Sequence, residues 1–227
     1  SPYGNECRSC WTVPDGTKLV GFDASGLELR MLAHYMKDEE FTNVLLTGDV
    51  HTRNQKAAGL GTRAEAKTFI YAFLYGAGDE KIGSITGGGA RHGKKLKQRF
   101  LRNTPHLERL RESVSRSASR GYLRGLDGRR LYVRSAHSAL NTLLQSAGAI
   151  VMKKALVILD DYARQWELKY KFIGNVHDEV QTEVREDHAD KFGWLAVECL
   201  KAAGLELGLR CPLDGEYKIG TTWAETH

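Results

Sequence analysis

Cysteine is scarce in this 227-residue chain, with only Cys7, Cys10, Cys199 and Cys211 present. Cys7-x-x-Cys10 has the spacing of a zinc or redox pair, but no second CxxC and no nearby His pair completes a four-ligand site. A reducing, intracellular setting is the simpler reading. No apolar run approaches membrane-spanning length, and SPYGNECRSC at the start lacks the hydrophobic stretch of a signal peptide. A membrane is therefore not expected as a partner. Internal repeats and low-complexity tracts are also missing, which argues against repeat architectures. The glycine run 86–89 (TGGG) is not followed by the Lys-Ser/Thr of a phosphate loop, which argues against ATPase chemistry of that kind.

What is present suits a folded protein. Hydrophobic residues make up 41% and charged residues 27%, a globular balance at a length that supports one large domain or two subdomains. The formal charge is +5 and the pI near 9.0, compatible with a polyanionic partner. Arg91, Lys94, Lys95, Lys97, Arg99 and Arg102 form one dense basic block.

Residues 1–17 read as irregular, with a turn at Pro14-Asp15-Gly16. Residues 18–23 read as a short buried strand ending on Asp23, followed by a helix with Leu29, Leu32, Ala33 and Met36 on its apolar face. A carboxylate at the end of a buried strand can hold a metal or cap the next helix, and from Asp23 alone capping is the default. Asp49-x-His51 has the spacing of a metal pair, yet two ligands do not make a site. The basic block reads as a helix with Leu96, Phe100 and Leu101 inward, broken at Pro105. Residues 106–120 form a second helix, whose charges either face solvent or meet a phosphate backbone. Residues 126–129 form a hairpin turn into the strand 130–133.

A long helix follows over about 136–165, burying Leu140, Leu144, Ala147, Val151, Ala155 and Ile158. His137, Asn141 and Gln145 repeat along it at four-residue steps, either as a plain polar stripe or as groups that hydrogen-bond bases and sugars. The run KFIGNVHDEVQTEV (171–184) is a β-hairpin with His177, Asp178 and Glu179 at its tip. Acidic charge beside strands this apolar needs a counter-cation. A helix through Leu200, with Phe192, Leu195, Val197 and Leu200 inside, leads to a closing strand and turn over 211–223.

The stretch TRAEAKTFIYAFLYGAG (62–78) organises the rest. Thr62 and Glu65 form a capping box and Gly76 and Gly78 a stop, which predicts a helix between them. Arg63, Lys67, Tyr71 and Tyr75 fall on one face of it. Two cations followed by two phenol rings match a polyphosphate followed by a ring system, or else a solvated basic edge with aromatic packing. Asp23 and Asp178, each ending an apolar strand, are suited to hold a pair of divalent cations that stabilise attacking and leaving oxygens in phosphoryl transfer.

In order, DASGLELR (23–30), TRAEAKTFIYAFLYGAG (62–78), LDGRRLYVRS (126–135), HSALNTLLQSAGA (137–149) and VHDE (176–179) resemble the DNA polymerase I family, family A, and most of all its podovirus-type phage replicative members. The likeness spans nearly the whole chain. It implies a template-directed DNA polymerase acting in phage replication in the cytoplasm of an infected bacterium, with primer-template DNA and dNTPs as partners and two Mg²⁺ ions as cofactors. By the same resemblance Asp23, the Ala24 carbonyl and Asp178 would hold the metals, with Glu179 beside them at the catalytic centre. Arg63, Lys67 and His51 would meet the triphosphate, Tyr71 the sugar and base, and Tyr75 the templating position. Glu28 would exclude a ribose 2′-hydroxyl. His137, Asn141, Gln145, Arg134 and His177 would follow the DNA. Tyr at position 71, where other members carry Phe, implies ready use of dideoxynucleotides.

The expected fold is α/β (α+β): a small antiparallel palm sheet over residues 1–44 and 121–227, with helices on one side, and inserted helical fingers over 45–120. In the family a thumb, more palm and usually a 3′–5′ exonuclease lie upstream, so this is expected to be the palm-and-fingers portion. A processivity factor bound through such a thumb is one candidate partner. Two other functions compete: a catalytically silent nucleic-acid-binding fragment, and a two-metal nuclease built on Asp23 and Asp178.

Overall fold

A computed structural model describes residues 2–227. The chain divides into two compact units, one made of the residues up to Leu27 with Gly148–His227, the other of Glu28–Ala147.

In chain order the first elements are α1 (Gly4–Ser9), β1 (Thr17–Ala24), α2 (Leu27–Met36), α3 (Glu39–Thr47) and α4 (Val50–Ala58). The opening segment is thus not irregular throughout, since α1 forms within it. The buried face of α2 is the expected one, with Leu29, Leu32, Ala33 and Met36 all buried. Neither α3 nor α4 was expected from the sequence. Their starts are set by caps, Asp38 accepting from the Phe41 N–H and Asp49 from the N–H groups of His51 and Thr52.

Next come α5 (Arg63–Leu74), α6 (Asp79–Ser84), α7 (Ala90–Arg102) and α8 (Pro105–Ala118). Phe69, Phe73 and Phe100 cluster with ring centroids 5.1–5.9 Å apart, joining α5 to α7. Leu96 and Phe100 are buried as expected, while Leu101 is half-buried. Pro105 starts α8, where its missing N–H costs nothing. The ribbon β2 (Tyr122–Arg124) and β3 (Arg130–Tyr132) closes around the Asp127-Gly128 turn.

The helix α9 (Ala139–Gln165) follows a single 3-10 turn, Ala136–Ser138, and contributes residues to both units. Its six expected core residues are all buried. Against the expectation from sequence, Ala136–Gln165 is long and apolar enough to cross a membrane, but 56% of its most apolar window is buried inside the protein, as in a core helix.

The last elements are β4 (Tyr170–Val176), β5 (Glu179–Arg185), α10 (Ala189–Glu206), β6 (Gly215–Gly220) and α11 (Trp223–Thr226). Together with β1 the strands form one antiparallel sheet in the order β4-β5-β1-β6. Phe192, Leu195 and Leu200 of α10 are buried and Val197 is half-buried.

Register decides which side chains share a face. Phe22 lies opposite Tyr217, and a Cβ on Gly193 would sit 2.2 Å from the Tyr217 ring, so α10 covers that face. On the other face a Cβ on Gly21 would sit 2.6 Å from the Thr226 carbonyl, so α11 closes against it. Helices therefore cover both faces rather than one. The strand β4, the apolar first arm of the hairpin, is a sheet edge with Phe172, Ile173 and Val176 partly exposed.

Candidate functional site

The first cluster lies in the unit that holds the sheet. Asp23 is inside β1 and four residues before α2, so it does not cap that helix. It stands directly between Glu179 on β5 and Glu216 on β6. Like charges opposite one another destabilise a sheet. Burial pushes the Asp23 carboxyl above its ordinary value, and Glu216, Asp178 and Glu179 push it further, while Lys218 pulls it down. Asp178 sits with His177 in the turn between β4 and β5. His177 takes a left-handed φ of 60°, and its Nδ1 lies 3.1 Å from Asp178 Oδ1. The Ala24 N–H donates to the Asp178 carbonyl at 3.0 Å, tying this turn to the end of β1.

Glu179 is held differently. Burial pushes its carboxyl up, but hydrogen bonds from Gln181, Trp223 and His227, and the charge His227 carries when protonated, outweigh that and leave it below the ordinary value. Gln181 Nε2 donates to Oε1 at 2.6 Å, and Trp223 Nε1 donates to the same oxygen. His227 Nδ1 lies 2.6 Å from Oε2. With both oxygens engaged by protein, Glu179 is a structural hub beside Asp178.

Asp23, Asp178 and the Ala24 backbone offer hard oxygen donors with excess negative charge, which suits a divalent cation that keeps waters and substrate phosphates in its coordination sphere. Among the described residues no group of three or more His, Cys, Asp or Glu could by itself hold a metal ion. Cys7 and Cys10 are free and exposed.

The second cluster lies in the other unit. Thr62 and Glu65 form the capping box, with Thr62 Oγ1 accepting from the Glu65 N–H at 3.1 Å and Glu65 Oε2 from the Thr62 N–H at 2.9 Å. Two of the N–H groups at the start of α5 are thus taken up by its own residues. Ala66, Phe69, Ile70, Phe73 and Leu74 face inward. Arg63, Lys67 and Tyr75 are exposed and Tyr71 half-buried.

Arg63 Nε reaches Asp49 Oδ2 at 2.6 Å. Asp49 is therefore a helix cap and an ion-pair partner, not half of a metal pair with His51. The His51 ring lies 6.3 Å from that of Tyr71, and its buried Nδ1 has no hydrogen-bond partner among the described residues. Burial, then the charges of Arg63 and Lys67, lower its pKa against the opposing pull of Asp49. His51, Arg63, Lys67 and Tyr71 thus share one neighbourhood.

At the far end of α5, Tyr75 Oη donates to Glu28 Oε1 at 2.5 Å, and Gln145 Nε2 lies 3.2 Å from both. Gly76 has φ 74°, and a Cβ there would sit 2.6 Å from the His137 carbonyl. Only glycine satisfies both conditions. His137 belongs to the 3-10 turn rather than to α9 and is exposed, as is Arg134, while Asn141 is half-buried. Sequence reasoning missed Glu216, Lys218, Gln181, Trp223 and His227. Only Gln181 carried a signal, since it alternates with Glu179 along one face of β5.

The model of DNA polymerase family A matches residues 1–225. The chain belongs to that family. It is 43% identical to a DNA-directed DNA polymerase of Escherichia phage T7, over 100% of this chain and 37% of that protein. Identity to the corresponding enzyme of Enterobacteria phage T3 is 42% over the same shares. A DNA polymerase I of Pseudomonas aeruginosa is 28% identical, over 99% of this chain and 27% of that protein. The chain thus spans less than two fifths of the length of these relatives. Among solved structures, the POL domain of Pol1 from M. smegmatis, in complex with DNA primer-template and dNTP, superposes with a TM-score of 0.87 at 22% identity. That match covers 100% of this chain and 43% of that one.

Proposed function

We propose that the chain forms the palm and fingers of a template-directed DNA polymerase that replicates a phage genome in the cytoplasm of an infected bacterium. Residues 1–44 and 121–227 would be palm, and 45–120 fingers. The observation that carries this reading is the outward face of α5. Two cations followed by two tyrosines, with His51 alongside the first three of these four, fit a nucleoside triphosphate; a nuclease has no use for them.

On this reading Asp23, Asp178 and the Ala24 carbonyl hold two Mg²⁺ ions. When bound, such ions stabilise charge on attacking and leaving oxygens. Arg63, Lys67 and His51 grip the triphosphate, and Tyr71 packs on sugar and base. Glu28, held by Tyr75 and Gln145, walls off the space a 2′-hydroxyl would need. Tyr75 borders the templating base. Arg134, His137, Asn141, Gln145 and His177 meet primer-template DNA. Glu179, fixed by Gln181, Trp223 and His227, supports the Asp178 turn. The primer 3′-hydroxyl attacks the α-phosphate in line and pyrophosphate leaves. A processivity factor would act through upstream parts of the enzyme.

Primer extension by this chain joined to the upstream part of a related enzyme tests the proposal. Asp178→Ala is expected to abolish extension while leaving primer binding intact. Equal extension by both proteins refutes the metal role. Absence of extension in both, with DNA still bound, favours a silent binding module, and strand degradation without dNTP favours a nuclease.

A further inference from the structure

We propose that Asp49 stands in for the nucleotide's phosphates: it holds Arg63 while the nucleotide site is empty and lowers polyphosphate affinity by competing for it. This rests on the nucleotide-binding reading of α5. The Arg63–Asp49 contact is short, 2.6 Å, yet both side chains are largely exposed, 57% and 41%. Such pairs open at little cost.

Asp49 is anchored independently of Arg63. Its Oδ1 accepts from the His51 N–H at 3.0 Å and the Thr52 N–H at 3.4 Å, and its Oδ2 from Thr52 Oγ1 at 2.8 Å. It stays satisfied when Arg63 leaves, and it cannot follow. Hydrogen bonds from Arg63 and Thr52 hold its carboxyl far below the usual range, so acidification near neutrality does not free Arg63. A competing anion does. The capping box takes up the Thr62 and Glu65 N–H groups at the start of α5, and Arg63 adds a charged side chain there.

The competing idea, that the pair only staples α4 to α5, predicts the opposite sign. Removing the charge would then loosen the neighbourhood and weaken binding. Asp49→Asn and Asp49→Ser both keep a good helix cap. Titration calorimetry of the chain with inorganic tripolyphosphate, and separately with a dNTP, reads the difference. Both variants are expected to bind about three- to tenfold more tightly than wild type at low salt, with the gap closing toward molar salt. Unchanged or weaker binding by both overturns the proposal. Arg63→Ala is the control. If wild type binds neither probe, or binds them as well without Arg63, the nucleotide reading of α5 fails and this inference with it. If Arg63→Ala loses binding and the Asp49 variants match wild type, only the competition fails.

Discussion

Trp223→Phe isolates one hydrogen bond in the Glu179 hub. The phenyl ring keeps most of the packing, including the edge contact with Trp11 at 6.3 Å and the Arg8 guanidinium 5.6 Å above the ring. What disappears is the indole N–H donated to a carboxylate whose side chain is only 12% exposed. Hydrogen bonds to charged groups contribute about 1.5–3 kcal/mol. Gln181 and His227 remain as partners, so the expected loss is about 1–2 kcal/mol. For a protein of this size that lowers Tm by about 2–8 °C. Glu179 in the fold sits below its ordinary value of 4.5, so the stability it contributes is complete above that pH and is lost as pH falls through the folded value. Thermal melts followed by circular dichroism should show the full deficit at pH 7 and a deficit that shrinks once the pH is lowered far enough to protonate Glu179 in the fold. A variant as stable as wild type at pH 7 would refute the hub.

Phe100→Ala removes the ring that Phe69 and Phe73 both contact. It should cost about 3–5 kcal/mol and abolish near-ultraviolet dichroism from this cluster, as thermal and chemical unfolding can measure. In the joined enzyme Tyr71→Phe should reduce dideoxynucleotide incorporation relative to deoxynucleotide. Equal chain termination by the two proteins would count against a sugar-sensing hydroxyl.

The parts of the fold written in periodicity were legible. The strand at residues 18–23, the capped helix from Arg63, the core face of α9 and the hairpin around His177 all follow from spacing and caps. The four-stranded order was not, because β1 finds its neighbours far along the chain and no local pattern names them. The nine-residue helices α3 and α4 were not read because each is too short for periodicity to mark it over several turns, although Asp38 and Asp49 signal their starts. For the site, Asp23 and Asp178 were visible as carboxylates at strand ends. Their electrostatic environment was not, since Glu216 and Lys218 act on Asp23 only through the β1–β6 register. The hold of Trp223 and His227 on Glu179 was equally invisible, being a contact between distant segments.

The pairing of β1 also sets an order of events during synthesis. Asp23 is opposite Glu179 and Glu216, so neither neighbour exists until some 150 residues after β1 has emerged. At about 5–20 residues per second, the strand waits roughly 8–30 s with both edges bare. All of Glu28–Ala147 is made in that interval, before the sheet can close. A ribosome pausing between residues 147 and 179 would therefore prolong the exposure of an apolar, unpaired strand, the condition under which nascent chains associate wrongly.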